Sequence, residues 1–272
     1  MGRPVTLTAR VSNQAGHTAT AAARIILPLL VGMDAPNGAE WATAVKDYSG
    51  ITYSRDFGSP TTLTALGAGK WVPLPRGAIM HVSWKGDTDQ LPAWLKGLDR
   101  PVYLTWYHEP MGKVDPATYR AIATRMGQAI AAHPNRRWVL GHGPIVTRYW
   151  LDEGKGNPAD WAYPGMTHYG IDCYSQDTGS YWPAARMFGT AFAKVRAAFP
   201  GIRLLVPEYG LVRTTGDTSG AGRAQAIREH IGWLRRQDDL EAVAYFNSSV
   251  FPQFVLSPTS PEAQAWRDMQ AL

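Results

Sequence analysis

The chain has 272 residues, 45% hydrophobic and 18% charged, enough apolar material for one large core and too much for a disordered polypeptide. Its formal net charge is +5, but the basic residues are scattered along the sequence rather than gathered into a stripe, which argues against nucleic acid as a partner. A single cysteine, Cys173, excludes an internal disulfide, a Cys-rich zinc site and a redox pair.

In chain order, Val5 to Arg24 reads as a β-hairpin: VTLTARV alternates, Asn13 to Gly16 offers a turn, and HTATAAARI alternates again. The pattern resembles the last two strands of a bacterial immunoglobulin-like module, and equally suits a hairpin plugging the bottom of the following domain. From Ile25 onward, short apolar runs alternate with longer amphipathic stretches. The runs are IILPLLVGMD, GITYSRDF, AIMHVSWK, PVYLTWYHEP, RWVLGHGPIV, HYGIDCYS, RLLVPEYG and AVAYFNSS. Helices are predicted over Pro116 to His133, Tyr181 to Phe199 and Gly222 to Gln237. Eight such units in about 250 residues predict a (β/α)8 (TIM) barrel over 25–272, preceded by the hairpin at 1–24. No GxGxxG fingerprint follows the first run, and GAGK at Gly67 lacks the spacing of a phosphate loop. The longest apolar run, Ile25 to Met33, contains Pro28 and is too short to cross a bilayer, so no membrane association is expected.

In a parallel barrel, polar residues at the C-terminal ends of strands converge on one mouth. Glu109 ends the fourth run and Glu208 the seventh, and an ionised side chain placed directly after an apolar strand is costly unless it faces water or finds a partner. Two carboxyl groups facing each other across a barrel mouth can hydrolyse a glycosidic bond: one protonates the leaving oxygen, the other attacks the oxocarbenium-like centre. Either glutamate alone also fits a salt-bridged strand end; the pair, on these two strands, favours catalysis.

The segment WYHEPM resembles the acid/base motif of glycoside hydrolase family 26, and PEYG resembles its nucleophile motif. HVSWKGD, GIDCYS and AYFN are similar to its third-, sixth- and eighth-strand elements. The resemblance runs over nearly the whole chain from Ile25, in short motifs whose order carries the weight. It implies a clan A glycosidase barrel, with Glu109 as acid/base, Glu208 as nucleophile and His108 beside them. It also implies that Tyr174 donates a hydrogen bond to Glu208 and that Asp172 lines the same region. Arg55, ending the second run, either assists the nucleophile by its charge or forms a structural ion pair. The chain departs from the family at Lys85, where a His is usual, at MGKVDP after the acid/base, and at Phe246 and Asn247, where a Trp platform is usual. These positions shape sugar subsites, so the family's preference for β-mannan does not carry over directly.

Trp71, Trp84, Trp106, Trp150, Trp161 and Trp182 lie near predicted loops or strand ends, and Trp84 and Phe246 are the expected sugar-contacting aromatics. Cys173 is expected to face the helices as an inert thiol. No HExxH or comparable ligand spacing is present, so neither metal nor cofactor is expected, and no serine lies in a GxSxG elbow. The expectation is a monomeric, retaining endo-β-glycanase acting on β-mannan or a related β-1,4 or mixed-linkage glycan, extracellular or surface-associated because its polysaccharide substrate is. The competing reading is a non-catalytic carbohydrate-binding barrel from a surface or phage tail protein.

Overall fold

The computed structural model describes residues 3–12, 18–34, 38–48, 50–56, 78–152, 154 and 156–270, the backbone only for 3–12 and 18–27. Strands β1 (Arg3–Ser12) and β2 (Thr18–Leu27) form a separate antiparallel sheet, in register from Arg3 opposite Leu27 to Ser12 opposite Thr18. The expected turn at Asn13 to Gly16 lies outside the described residues, as do GAGK and Trp71. The hairpin extends through Leu27, beyond the expected boundary at Arg24, because Ile25 to Leu27 continue its register. Pro28, which has no N–H for a ladder, then divides the run IILPLLVGMD.

The remaining strands form one parallel sheet: β3 (Leu30–Asp34), β4 (Tyr53–Asp56), β5 (Ile79–Trp84), β6 (Val102–Trp106), β7 (Val139–His142), β8 (Ile145–Thr147), β9 (His168–Ser175), β10 (Arg203–Leu211) and β11 (Leu240–Phe246). Their spatial order is β7-β6-β5-β4-β3-β11-β10-β9-β8. The two outermost strands are halves of one barrel strand, the fifth run, interrupted at Gly143–Pro144. Gly143 N–H donates to Leu104 O on one side, while Gly170 N–H donates to Pro144 O on the other, so the interrupted strand closes the barrel. A side chain at Gly143 would stand 1.7 Å from His168 O; the seam therefore requires glycine.

Alternation sorts the strand side chains into two cores. Val31, Met33, Met80, Val82, Leu104, Ile171 and Val243 face outward and pack in the main apolar core. Around the barrel lie α1 (Gly38–Asp47), α2 (Leu91–Lys96), α3 (Pro116–Ala132), α4 (Arg148–Asp152), α5 (Thr190–Ala198), α6 (Ala221–Leu234) and α7 (Pro261–Gln270). Tyr53, Tyr103, Leu205, Ala242 and Ala244, from strands that are not all neighbours, meet inside the barrel. Above them a polar chain crosses the lumen: Tyr53 Oη to His81 Nδ1 and His81 Nε2 to Thr105 Oγ1, both 2.8 Å.

Helix α3 begins where its sequence signals it: the Asp115 carboxylate accepts from the N–H groups of Ala117 and Thr118, with Pro116 at the first helical position. The helix expected from Tyr181 instead starts beyond Pro183 with a wide π turn over Ala185–Gly189 leading into α5. Cys173 is fully buried on the outward face of β9, and burial holds its thiol well above the usual range.

Candidate active site

Two backbone irregularities aim the glutamates. Tyr107 and Glu109 both have positive φ, 52° and 48°, a conformation costing about 1–3 kcal/mol for a residue with a side chain. Two main-chain bonds hold it: Tyr107 N–H to Trp84 O at 2.7 Å and Glu109 N–H to Ile145 O at 2.9 Å. Pro110 disfavours right-handed helical geometry for the residue before it, so the chain cannot run from β6 directly into a helix at Glu109.

In β10 the ladder slips between Val206 and Tyr209 on one side and between Leu205 and Tyr209 on the other. Val206 and Tyr209 both belong to the outer core although two residues separate them, so one extra residue has been accommodated at Pro207–Glu208. Without that bulge, strict alternation from Leu205 would turn Glu208 toward the helices. With it, Glu208 meets residues of β4 and β9.

Glu208 is buried and doubly held: Tyr174 Oη donates to Oε2 at 2.5 Å, and Arg55 Nη2 lies 3.3 Å from Oε1. Arg55 is itself fully buried and donates to Ser83 Oγ at 2.7 Å. Gly210 makes room for this arrangement, since a Cβ there would meet Tyr174 Cδ1 and Phe254 Cδ1 at 2.9 Å. The Tyr174 ring is walled by Phe246, edge-on at 5.7 Å, and by Phe254 at 5.1 Å.

Glu109 sits in a different environment. Burial first, and then the negative charge of Glu208, raise its carboxyl above the ordinary value; Lys113, Arg55 and Lys85 oppose the shift. The Lys113 ammonium stands 3.8 Å from Oε2 on the exposed side. His108 is held well below the usual imidazole range, mainly by burial and then by Arg55, Lys85 and Lys113, so it is neutral at neutral pH. Exposed Lys85 lies 5.0 Å from the Tyr107 ring centroid.

Asp172 projects inward from β9, 1% exposed, and neither carboxyl oxygen has a hydrogen-bond partner among the described residues. Burial, then Glu208 and Glu109, hold it well above the usual carboxylate range. A buried carboxyl group left without a partner beside two others is suited to a ligand hydroxyl.

The structure thus brings together Glu109, Glu208, His108, Arg55, Asp172, Tyr174 and Phe246. It does not bring in Trp84, which is 0% exposed and packed in the outer core. Ser83 faces the lumen toward Arg55, so its neighbour must face the helices. Asn247 is also set apart: its side chain accepts from Leu256 N–H and its N–H donates to Asp34 O, each at 2.9 Å, pinning the segment after β11. Trp106 and Trp161 are buried in the core, while Trp150 and Trp182 are half-buried.

Sequence reasoning missed Asp34 and Ser83. Asp34 ends β3 fully buried, and its charge adds to those raising Asp172. The rule that selected Glu109 and Glu208, an acid directly after an apolar run, would have selected Asp34 in GMD as well.

No family model and no curated protein matches the chain in sequence. Its fold is similar to solved glycoside hydrolase family 128 structures. The subgroup I endo-β-1,3-glucanase of Amycolatopsis mediterranei, in complex with laminaripentaose, superposes with a TM-score of 0.60 at 18% identity, over 87% of this chain and 98% of that one. The subgroup II endo-β-1,3-glucanase of Sorangium cellulosum gives 0.54 at 12%, over 88% and 98%. A subgroup VII oligosaccharide-binding protein of Trichoderma gamsii gives 0.54 at 14%, over 89% and 94%. At these identities the likeness establishes the fold alone, a parallel (β/α) barrel. These likenesses do not show family 26 itself, so the motif resemblance stands on its own.

Proposed function

We propose that the protein is a retaining endo-β-glycanase, with Glu109 as acid/base and Glu208 as nucleophile, acting on a β-1,3-glucan or a related neutral β-glycan. The observation that carries this reading is the unequal environment of two carboxyl groups at the ends of the fourth and seventh barrel strands. Glu109 is biased toward its protonated form, as a proton donor must be. Glu208 is oriented by a hydroxyl and a guanidinium, as a nucleophile must be.

In the first step Glu109 gives its proton to the glycosidic oxygen while a Glu208 oxygen bonds to the anomeric carbon and the carbon–oxygen bond to the leaving sugar breaks. In the second step the Glu109 carboxylate takes a proton from water, the hydroxyl displaces Glu208, and the configuration is restored. Asp172 and neutral His108 offer hydrogen bonds to sugar hydroxyls beside the reacting centre.

The β-1,3-glucan class is preferred to β-mannan because two of the similar structures are endo-β-1,3-glucanases and because the chain departs from family 26 at Lys85 and Phe246. Action on a polymer places the protein outside the cell or at its surface, and a barrel of this size can act as a monomer. A second reading, an oligosaccharide-binding barrel without turnover, is favoured by one observation: a protein of that description shares the fold. A binder, however, has no use for two carboxyl groups held in opposed environments. Incubation with β-1,3-glucan, mixed-linkage β-glucan, β-mannan and xylan, beside Glu208→Ala, separates the two. New reducing ends that require Glu208 support the hydrolase; binding without release on every glycan overturns it.

A further inference from the structure

Four large hydrophobic side chains are strongly exposed among the described residues: Leu140, Tyr149, Val250 and Phe251. Three of them stand at the C-terminal mouth. Tyr149, 59% exposed, follows β8, while Val250 and Phe251, 68% and 48% exposed, follow β11. An exposed ring needs no explanation by itself, but two exposed rings beside a reaction centre do.

Tyr149 lines a cleft of about 610 Å³ together with Asp172, Tyr174, Gln176, Asp177 and Trp182. That volume lies within the roughly 300–1,000 Å³ range of small-molecule sites. Tyr174, which donates to Glu208, therefore forms one wall of this cleft. On its other flank Tyr174 meets Phe246, whose ring centroid is 6.0 Å from that of Phe251. The order across the mouth is thus Tyr149, the cleft, Tyr174, Phe246, Phe251.

The polar groups in the cleft define what can enter. Asp172 presents two carboxyl oxygens that have no hydrogen-bond partner among the described residues, while Asp177 and Gln176 add further hydrogen-bonding capacity. Arg148, on the same wall, is ion-paired to Asp152, donates to Tyr174 O at 3.0 Å, and lies 4.8 Å from the Trp182 ring centroid. Trp182 is further engaged by Arg186 at 3.9 Å and by donation to Asp177 at 2.7 Å, so it builds the wall, whereas the Tyr149 ring is largely exposed. A wall with two carboxyl groups and a committed arginine suits hydroxyl-rich, uncharged rings and opposes uronic acids.

We infer that Tyr149 and Phe251 are aromatic platforms of two sugar subsites on opposite sides of the reaction centre, spanned by a neutral glycan chain that lies across the mouth. This rests on the glycanase reading and deepens it: the chain is gripped on both sides of the bond being cut, which is the arrangement for internal cleavage. Stacking uses the apolar face of the ring, so the Tyr149 hydroxyl contributes little.

The test is binding to the Glu208→Gln protein, with β-1,3-gluco-, β-1,4-gluco- and β-1,4-manno-oligosaccharides from di- to hexasaccharide, followed by calorimetric titration. In that background Tyr149→Ala and Phe251→Ala are each expected to weaken hexasaccharide binding by roughly three- to tenfold, with a smaller effect on the disaccharide, while Tyr149→Phe binds as the parent does. If the parent binds hexasaccharide and both alanine variants bind it equally well, the platforms are overturned and the glycanase reading stands. If no series binds the parent, the glycanase reading falls and the platforms fall with it.

Discussion

Replacing Tyr174 with phenylalanine removes one hydroxyl and almost nothing else. The ring stays against Phe246 and Phe254, and Gly210 still leaves space for it. What is lost is the 2.5 Å donation to Glu208 Oε2, leaving Arg55 as the partner of that carboxylate. A hydrogen bond to a charged group is worth about 1.5–3 kcal/mol. If it serves to orient the attacking oxygen, its loss lowers kcat/KM by about 10- to 150-fold. Initial rates of reducing-end release from a soluble β-1,3-glucan, alongside a urea midpoint, measure both consequences. The expected result is a large fall in kcat/KM, with a urea midpoint lowered by no more than the equivalent of the about 1.5–3 kcal/mol that the bond contributes to folding. An unchanged kcat/KM in a protein that does cleave the glucan would refute the reasoning, because Glu208 would then need no orientation from Tyr174.

The other predictions follow from the charges around the pair. Glu109 must be protonated to act as acid, so kcat/KM falls as pH rises through its raised pKa; Lys113→Met removes a charge that lowers that pKa, and the basic limb of the profile moves to higher pH. A limb that moves to lower pH contradicts the assignment. Arg55→Met leaves the Glu208 carboxylate buried beside Tyr174 alone and costs about 3–5 kcal/mol in unfolding free energy, part of which Glu208→Gln in the same chain restores. A double variant no more stable than Arg55→Met counts against the pair. Burial lowers His142 from 6.5 to about 4, so between those pH values the unfolded chain binds the proton and the folded chain does not. The His142 contribution to unfolding free energy, isolated by urea titration of the parent beside His142→Asn, therefore falls by on the order of 3 kcal/mol as pH drops through that window.

The barrel was legible because its signals are periodic. Eight apolar runs at regular spacing admit few other arrangements, and even the fifth run, broken by Gly143–Pro144, falls on one barrel position. Position along a strand was equally legible: an acid after an apolar run marks the mouth, and by that rule Glu109, Glu208 and the overlooked Asp34 all stand out. Direction was harder. Trp84 follows Ser83 in the sequence, but which of the two faces the lumen depends on the pairing of β5, and the apolar bulk of Trp84 decides it for the helix layer. Tyr149 gave no signal at all, because it follows a three-residue strand whose existence depends on closure of the barrel.

Both glutamates, finally, are aimed by departures from regular structure. Regular alternation in β10 would leave Glu208 among the helices, and a regular exit from β6 would not bend Glu109 through a positive φ without glycine. Each departure has a local cost and a local cause, Pro207 within one strand and Pro110 after the other. A chain selected only for stability gains nothing from either. Straightening the bulge would be expected to stabilise β10 while rotating the carboxylate away from Tyr174 and Arg55. That opposition between the ladder and the site is the physical reason to propose the chemistry at these two residues and not at the buried Glu241 or Glu262, each of which is already matched by neighbours: Glu241 by Tyr103 and His168, Glu262 by Arg213 and Arg223.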